Sequence, residues 1–506
     1  MSVARGGTAI FAAKVYFIFT GLAQQLLLPR ALGLAGYGQL ARVFSLIAIV
    51  SNVVIIASMQ RMSRLVAEGS RQEETNQSDA HSENVSAAMR FHVWIGIFVS
   101  LGFALAAYPI SRFISAPEIF PGLLMGSLVV GTYCVYAPVV GIFNGRREFV
   151  RQATFDVVFA TVRTALVVIG GFVFVSLGLR GFIGSTVGFA LATILVTLVA
   201  LLLAKPFARN VSQSGAVEPE FDRKVYSRTL IALASSQLFT NLLMQSDLLV
   251  LSRVIAGHTG ATLTADEWVG VYRSCQLFAF LPFQLLLSIS NVLFPLLAKS
   301  SDNTDTTERG RLVERGVGLA LLLLGLFSAN LFSFADVLLR MTYGATVATN
   351  GTTTLRILLL GQGAFTMMGL FGTVLSAVGK ERTSVRLNAM ALLLMVLLAG
   401  SAVRLPFAMH NLALVEVVAA AGSLALVLSL FVFSRALMEA FGNVVRLRTL
   451  LTVVCATLLA AIVGTRFPRS FIGLIAGGAS TSLVYVCIVL LLDRPALAAV
   501  LTKARR

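Results

Sequence analysis

A few charged side chains inside long apolar segments are the residues of this sequence that could do chemistry. Arg163 falls at the centre of segment 152–177, and Lys14 lies inside segment 7–28. An ionisable side chain in a membrane span costs about 2.5–3.5 kcal/mol on insertion scales, so it usually faces a cavity or a charged partner. Arg163 is therefore expected to face a cavity, or else to form a structural pair with Asp156. Lys14 either faces the same cavity or extends toward the lipid headgroups.

Acidic residues inside such segments are candidates for binding a coupling proton or sodium ion. Asp247 lies in segment 228–252, and Glu416 lies in a later segment. Asp247 shares its segment with three polar side chains at roughly helical spacing, which predicts one polar helix face that lines a cavity. These three residues are Gln237, Asn241 and Gln245. A salt bridge of Asp247 with Arg253 or Arg273 is the alternative.

The elements that position these residues are apolar segments long enough to cross a bilayer. Of the 506 residues, 57% are hydrophobic and 12% are charged, whereas a soluble chain carries about 25% charged residues. A span needs about 20 mostly apolar residues, and fourteen segments qualify. They are 7–28, 37–60, 91–114, 119–143, 152–177, 180–204, 228–252, 269–297, 313–336, 352–378, 383–405, 408–434, 447–465 and 470–492. We therefore predict an all-α polytopic membrane protein with about 14 transmembrane helices.

The basic residues assign the two faces of the membrane. The net charge is +17, and the basic side chains recur in short clusters between the apolar segments. If the N-terminus is cytoplasmic, 27 basic residues fall on the cytoplasmic side and 11 on the other. This bias predicts a multi-pass protein of the cytoplasmic (inner) membrane with both termini in the cytoplasm. Nucleic-acid binding is not expected, because the basic residues form no single patch.

Two similar stretches suggest an internal repeat. Arg30 follows the first segment and Tyr37 opens the second. In the same way, Arg253 follows the seventh segment and Tyr272 lies near the start of the eighth. We predict an N-terminal six-helix lobe (1–227) and a C-terminal six-helix lobe (228–440). Two additional helices and a cytoplasmic tail follow (441–506). Related lobes are typical of secondary transporters. Arg42 and Arg273 lie near the outer ends of corresponding helices, which suggests a paired outer gate, or else ordinary interfacial arginines.

Several chemistries have no sequence support. No phosphate-binding G-x-x-x-x-G-K-[ST] loop, H-E-x-x-H, G-x-S-x-G or C-x-x-C occurs. The four cysteines all lie inside apolar segments and the four histidines are isolated; the cysteines are Cys134, Cys275, Cys455 and Cys487. We therefore expect no enzyme activity, no catalytic residue, no cofactor and no metal site.

Short motifs along the first twelve segments resemble those of a known family. The middle of the chain matches best, and the order and spacing of the motifs are more specific than any one of them. The matching motifs are Arg30-Ala-Leu-Gly33, Gly36-Tyr37-Gly38, Gly141-Ile-Phe-Asn-Gly145-Arg-Arg-Glu-Phe149, Asp247-Leu-Leu-Val-Leu, Val269-Gly-Val-Tyr272, Leu293-Phe-Pro295-Leu-Leu-Ala298, Tyr343-Gly344, Leu355-Arg-Ile-Leu358 and Leu375-Ser-Ala-Val-Gly-Lys380. They resemble the polysaccharide flippases of the multidrug/oligosaccharidyl-lipid/polysaccharide exporter superfamily.

The resemblance implies an alternating-access transporter that moves undecaprenyl-pyrophosphate-linked oligosaccharide units across the membrane for O-antigen, capsule or exopolysaccharide synthesis. For such a substrate, Arg163, Lys14, Arg42 and Arg273 become candidate cavity cations, because a pyrophosphate must cross a low-dielectric layer. Membrane lipids, and the polymerase and chain-length proteins of a polysaccharide pathway, are the implied partners.

Three other functions remain open. A lipid II flippase has fourteen spans as well, but its arginine- and aspartate-rich first-helix pattern is missing here. A cation-coupled multidrug exporter of the same superfamily would need an acid-rich cavity, whereas the buried charges of this chain are predominantly basic. A membrane glycosyltransferase or polymerase would need a large outer loop or an acidic catalytic pair at the membrane face, and the sequence has neither.

Overall fold

The computed structural model describes residues 3–72, 78–204, 221–256, 263–284, 286, 306–402, 411–442, 444 and 446–493. Within these residues the chain forms fourteen α-helices and no β-strand. The helices are α1 (Val3–Gln72), α2 (Ser78–Phe113), α3 (Phe120–Gly145), α4 (Phe149–Ser176), α5 (Gly181–Ala204), α6 (Arg223–Ile255), α7 (Ala265–Ala279), α8 (Thr306–Ser333), α9 (Ala335–Tyr343), α10 (Ala345–Ala377), α11 (Glu381–Ala402), α12 (Asn411–Phe441), α13 (Leu447–Gly464) and α14 (Phe471–Leu492).

Helix α1 contains the first two predicted spans as two arms that meet at Gly33. The backbone of Gly33 has φ 72°, a left-handed conformation that breaks the helix and that glycine adopts without a Cβ penalty. We call residues 3–32 the first arm and residues 34–72 the second arm. The chain therefore changes direction between two spans with a single residue in place of a loop.

The prediction of an all-α polytopic membrane protein is confirmed. Twelve of the described helices are long and apolar enough to cross a membrane. The first of these, Ala12–Glu68, is 57 residues long and includes both predicted spans of α1. The eighth predicted span, 269–297, is described only at its start, in α7 and the residues that follow it.

The helices differ from the predicted spans mainly at their ends. The residues between the predicted spans 37–60 and 91–114 are largely helical, because α1 continues to Gln72 and α2 begins at Ser78. These turns contain many alanine, arginine and glutamate residues, which favour helix once water can solvate their side chains. The short helix α9 was not predicted; it ends at Gly344, which has φ 91°.

The chain forms two compact packing units. The first contains residues 1–257 and 264–270, and the second contains residues 258–263 and 271–506. Helix α6, which the sequence assigned to the C-terminal lobe starting at residue 228, packs against α1 and belongs to the first unit. That the two predicted lobes move against each other during transport stays a prediction.

Glycines let the helices of the first unit approach closely. The stretch Gly181–Gly188 at the start of α5 packs closely against α4. A Cβ added at Gly188 would overlap the carbonyl oxygen of Leu166, and one at Gly184 would overlap that of Gly170. Small residues at such crossings are typical of helix pairs in membranes.

In the second unit, the last two helices pack against α8. The Tyr485 hydroxyl donates to the carbonyl oxygen of Leu322 at 2.9 Å, and Asn330 Nδ2 donates to Ser482 Oγ at 3.1 Å. Ser333 Oγ of α8 also donates to the carbonyl oxygen of Ala461 on α13 at 3.2 Å, so both α13 and α14 are packed on α8.

Candidate functional site

A polar seam joins the first arm of α1 to α4 at membrane depth. The Tyr16 hydroxyl and Thr161 Oγ1 are 2.8 Å apart. One turn along, Thr164 Oγ1 lies 3.5 Å from both the Thr20 carbonyl oxygen and Gln24 Oε1. The neighbouring Arg163 and Lys14 therefore sit beside hydrogen-bonding groups in otherwise apolar helices.

Arg163 lies among aromatic rings. Its guanidinium carbon is 4.8 Å from the ring centre of Phe17, 5.8 Å from that of Phe159 and 5.9 Å from that of Phe189. Tyr133 also interacts with Arg163. The Nε atom of Arg163 is buried without a hydrogen-bond partner among the described residues. Each aromatic face stabilises the cation by about 0.5–2 kcal/mol.

The alternative pairing of Arg163 with Asp156 is not formed. None of the ion pairs between described residues involves Arg163. Asp156 instead interacts electrostatically with Lys14 on the first arm of α1. Arg163 is therefore a mid-span cation without a carboxylate partner in the described part of the chain, whereas Lys14 interacts electrostatically with Asp156 without forming an ion pair.

Other polar atoms near this seam also lack hydrogen bonds. The Tyr136 hydroxyl and Gln152 Oε1 are buried without a partner among the described residues. The ring of Tyr136 stacks on Phe159 at 5.4 Å, and Tyr136 interacts electrostatically with Asp156. The sequence analysis missed these residues. Lone tyrosines and glutamines carry no motif, and the only available signal was their position inside apolar segments.

Arg42 forms a buried ion-pair network. Its side chain is only 1% exposed, and it pairs with Asp266 and, at 3.5 Å, with Glu118. Gln39 Nε2 donates to the second carboxylate oxygen of Asp266 at 2.6 Å. Arg42 is thus neutralised by this chain's own carboxylates, so it is the least suited of the predicted cations to bind an anionic ligand in this state.

A capping box places Asp266 at the start of α7. Glu267 Oε2 accepts from the Thr264 backbone nitrogen at 2.8 Å, and Thr264 Oγ1 accepts from the Glu267 nitrogen at 3.3 Å. The T-x-x-E pattern is a sequence signature of a helix N-terminus. It could have located the start of α7 in advance, but it does not link Asp266 to Arg42.

Arg273 belongs to the other packing unit. Its Nη1 donates to Gln276 Oε1 at 2.8 Å, one turn along α7. Arg42 and Arg273 are thus described in separate units, and the paired outer gate stays a prediction.

The polar face of α6 packs against the second arm of α1. Asn52 Nδ2 donates to Asn241 Oδ1 at 2.9 Å, and Asn241 Nδ2 donates to the Gln237 carbonyl oxygen at 2.9 Å. Gln245 is buried, and its Oε1 has no partner among the described residues. These residues form a polar helix–helix contact in this structure.

Asp247 and Glu416 are both inside spans. Asp247 is 2% exposed, and one of its carboxylate oxygens accepts from the Leu248 backbone nitrogen at 2.8 Å. Its suggested partner Arg253 donates to Ser115 Oγ at 2.7 Å. Glu416 is half-buried in α12 and forms no ion pair with another described residue. The roles of both acids in coupling stay predictions.

Within the described ranges, no three His, Cys, Asp or Glu residues are grouped closely enough to hold a metal ion. The structure brings two of the four predicted cavity cations, Lys14 and Arg163, to one seam.

A family model described as polysaccharide biosynthesis protein matches residues 27–348. The chain belongs to this family. The match covers more than half of the sequence, including the whole of α4 and α6, whereas the α1 residues of the seam precede it. No curated protein is similar enough in sequence to match it.

Solved structures show the fold of the whole chain. A lipid II flippase, MurJ, in an inward closed conformation has TM-score 0.67 and 14% identity, covering 98% of this chain and 100% of its own. An inward-facing multidrug resistance MATE family transporter of the MOP superfamily has TM-score 0.65 and 13% identity, covering 85% and 96%. A MOP superfamily transporter from Pyrococcus furiosus has TM-score 0.60 and 13% identity, covering 87% and 97%. At these identities the likeness shows a shared transporter fold.

Proposed function

We propose that this protein is a flippase for undecaprenyl-pyrophosphate-linked oligosaccharide units in the synthesis of a surface polysaccharide such as O-antigen, capsule or exopolysaccharide. Membership of a polysaccharide biosynthesis family and a fold shared with a lipid II flippase support this proposal. The observation that carries it is Arg163, a mid-span cation without a carboxylate partner among the described residues.

An unneutralised guanidinium in a span favours an anionic ligand. Three aromatic faces lower the cost of burying Arg163, yet they leave its positive charge in place. A pyrophosphate group would supply the missing negative charge, and its oxygens match the planar fork of arginine. Tyr133, Tyr136 and Gln152 offer hydroxyl and amide groups that can bond to sugar hydroxyls.

Lys14 is the second cation of this proposed site. It lies on the other wall of the seam and already interacts with Asp156. We therefore assign Lys14 a secondary role, in which the pyrophosphate of the substrate competes with Asp156 for the ammonium group of Lys14. Arg42 and Arg273 remain candidate gate residues, Asp247 and Glu416 remain candidate coupling residues, and Gln237, Asn241 and Gln245 line the path only if α6 separates from α1.

A multidrug exporter is the second candidate, because one of the similar solved structures is a multidrug resistance transporter. The ligand that the protein binds distinguishes a flippase from a multidrug exporter. We expect undecaprenyl pyrophosphate to raise the melting temperature of the purified wild-type protein and tetraphenylphosphonium to leave it unchanged. The Arg163→Ala variant should lose the response to the pyrophosphate. Stabilisation by the cation alone would instead support the exporter.

The bias of basic residues supports an inner-membrane orientation with both termini in the cytoplasm. We expect reporter fusions at residue 75, at residue 215 and at the C-terminus to report the cytoplasm, and a fusion after Ser115 to report the outer side. Ser115 lies in the short connection between α2 and α3. If fusions at 75 and 115 report the same side, the proposed orientation is wrong.

Other partners follow from the proposed pathway. A flippase of this kind would hand its product to a polymerase and to a protein that sets chain length, at the outer face of the membrane.

A further inference from the structure

A second buried cation lies outside the α1–α4 seam, near the C-terminal end of the second arm of α1. Arg61 on the second arm of α1 is 8% exposed, and its guanidinium carbon stands 4.5 Å above the ring centre of Tyr226 on α6. Its Nε atom is buried without a hydrogen-bond partner, and no carboxylate of the described residues pairs with it. Unlike Arg42, it is therefore not neutralised.

Tyr226 is held rigidly beneath this arginine. Its hydroxyl is 2.9 Å from Nε2 of His92, which is fully buried on α2. The rings of Phe91 and Phe221 lie 5.9 and 5.2 Å from the ring of Tyr226. Residues of α2 and a residue just before α6 thus hold the aromatic ring of Tyr226, which in turn contacts the guanidinium.

The surroundings of Arg61 are electropositive. The same ends of α1, α2 and α6 carry exposed basic side chains, which are Arg64, Arg90, Arg223, Lys224 and Arg228. The described acidic groups there are the exposed Glu68 and Glu83, and Asp222, whose carboxylate caps α6 by accepting from the Lys224 and Val225 nitrogens. None of them reaches Arg61.

We propose that Arg61 binds the phosphate group of a membrane lipid, with Tyr226 and His92 as positioning residues. The bias of basic residues assigns these helix ends to the cytoplasmic surface, where anionic headgroups attract clustered lysine and arginine. The guanidinium supplies charge-assisted hydrogen bonds to phosphate oxygens, and the remaining exposed part of the side chain is the route by which the headgroup arrives. This site is independent of the proposed transport activity.

Two lipids carry this chemistry, namely an anionic bilayer lipid and the phosphate end of a polyprenyl carrier. The test uses the full-length protein in phosphatidylcholine nanodiscs that contain phosphatidylglycerol in one arm and undecaprenyl phosphate in the other. Retained lipid is counted by native mass spectrometry, and the melting temperature is recorded in parallel, since a bound ligand stabilises the folded state.

We expect the wild type to retain at least one of the two lipids, and Arg61→Gln to bind it about tenfold more weakly, as the loss of a hydrogen bond to a charged group implies. Arg435→Gln is the matched control, because Arg435 is an exposed arginine paired with Glu439 and assigned to the same membrane face. It should bind like the wild type. The arm in which Arg61→Gln loses binding identifies the lipid.

Two variants of Tyr226 test the positioning role. Tyr226→Phe keeps the ring beneath Arg61 but loses the hydrogen bond to His92, so it should bind lipid more weakly than the wild type and more tightly than Arg61→Gln. Tyr226→Leu removes the ring and should bind as weakly as Arg61→Gln. The proposal is overturned if Arg61→Gln, folded in pure phosphatidylcholine with a normal melting temperature, retains both lipids as the wild type does. Equal retention by the Tyr226→Leu variant would remove Tyr226 from the site.

Discussion

Replacing Arg163 by alanine is expected to abolish export of the polysaccharide while leaving the abundance of the protein in the membrane unchanged. The guanidinium forms no ion pair with a described carboxylate, so its removal strands no buried negative charge. Removing an uncompensated charge from a span also removes an insertion cost of about 2.5–3.5 kcal/mol. The loss should therefore appear in transport and not in folding.

Two variants control this prediction. Arg163→Lys keeps the charge but loses the planar fork that matches phosphate oxygens, so it should keep part of the activity. Asp156→Asn should leave Arg163 in place, because Asp156 interacts with Lys14 instead. Export is scored by surface polysaccharide in producing cells, and abundance by immunoblot of membranes. Normal polysaccharide with Arg163→Ala would remove this residue from the substrate site.

Arg42→Ala is expected to have the largest effect on stability. Its guanidinium is 1% exposed and neutralises two carboxylates, those of Asp266 and Glu118. Removing one partner of a buried pair typically costs about 3–5 kcal/mol, because the other charge is left uncompensated. Both carboxylates are partly exposed, so we expect a value near the lower end, with a lower melting temperature in detergent and lower abundance.

Arg435→Ala serves as the comparison for a surface ion pair. Arg435 and Glu439 are 83% and 65% exposed, and such pairs contribute about 0–1 kcal/mol. Its melting temperature should stay close to that of the wild type. If Arg42→Ala is equally stable but inactive, Arg42 acts as a gate or ligand for substrate, and the structural role of its ion pairs is wrong.

The spans and the mid-span cation were predictable from the sequence because both depend on local composition. A run of about 20 apolar residues identifies a membrane helix wherever its neighbours lie. Arg163 is conspicuous for the same reason, since it interrupts such a run. The kink at Gly33 and the helical continuation through residues 61–72 and 78–90 were not predictable, because they depend on backbone conformation beyond the apolar core.

The partners of the buried charges could not be predicted because they come from distant parts of the chain. Asp266 follows Arg42 by 224 residues, and no local pattern links them. A pair of Asp156 with Arg163 was the alternative to a cavity, yet Lys14 from another helix interacts electrostatically with Asp156 instead. The same limit applies to Arg61, whose chemical interest depends on Tyr226 and His92 from two other helices.

Transfer of a lipid-linked oligosaccharide between leaflets tests the central claim most directly. The purified protein is reconstituted into vesicles that carry an undecaprenyl-pyrophosphate-linked oligosaccharide in the inner leaflet, and a membrane-impermeant glycosidase outside reports its arrival. We predict rapid cleavage with the wild type, and cleavage at the protein-free rate with Arg163→Ala. Cleavage by wild-type vesicles at the protein-free rate, with the protein folded and inserted, would contradict the assignment as a flippase.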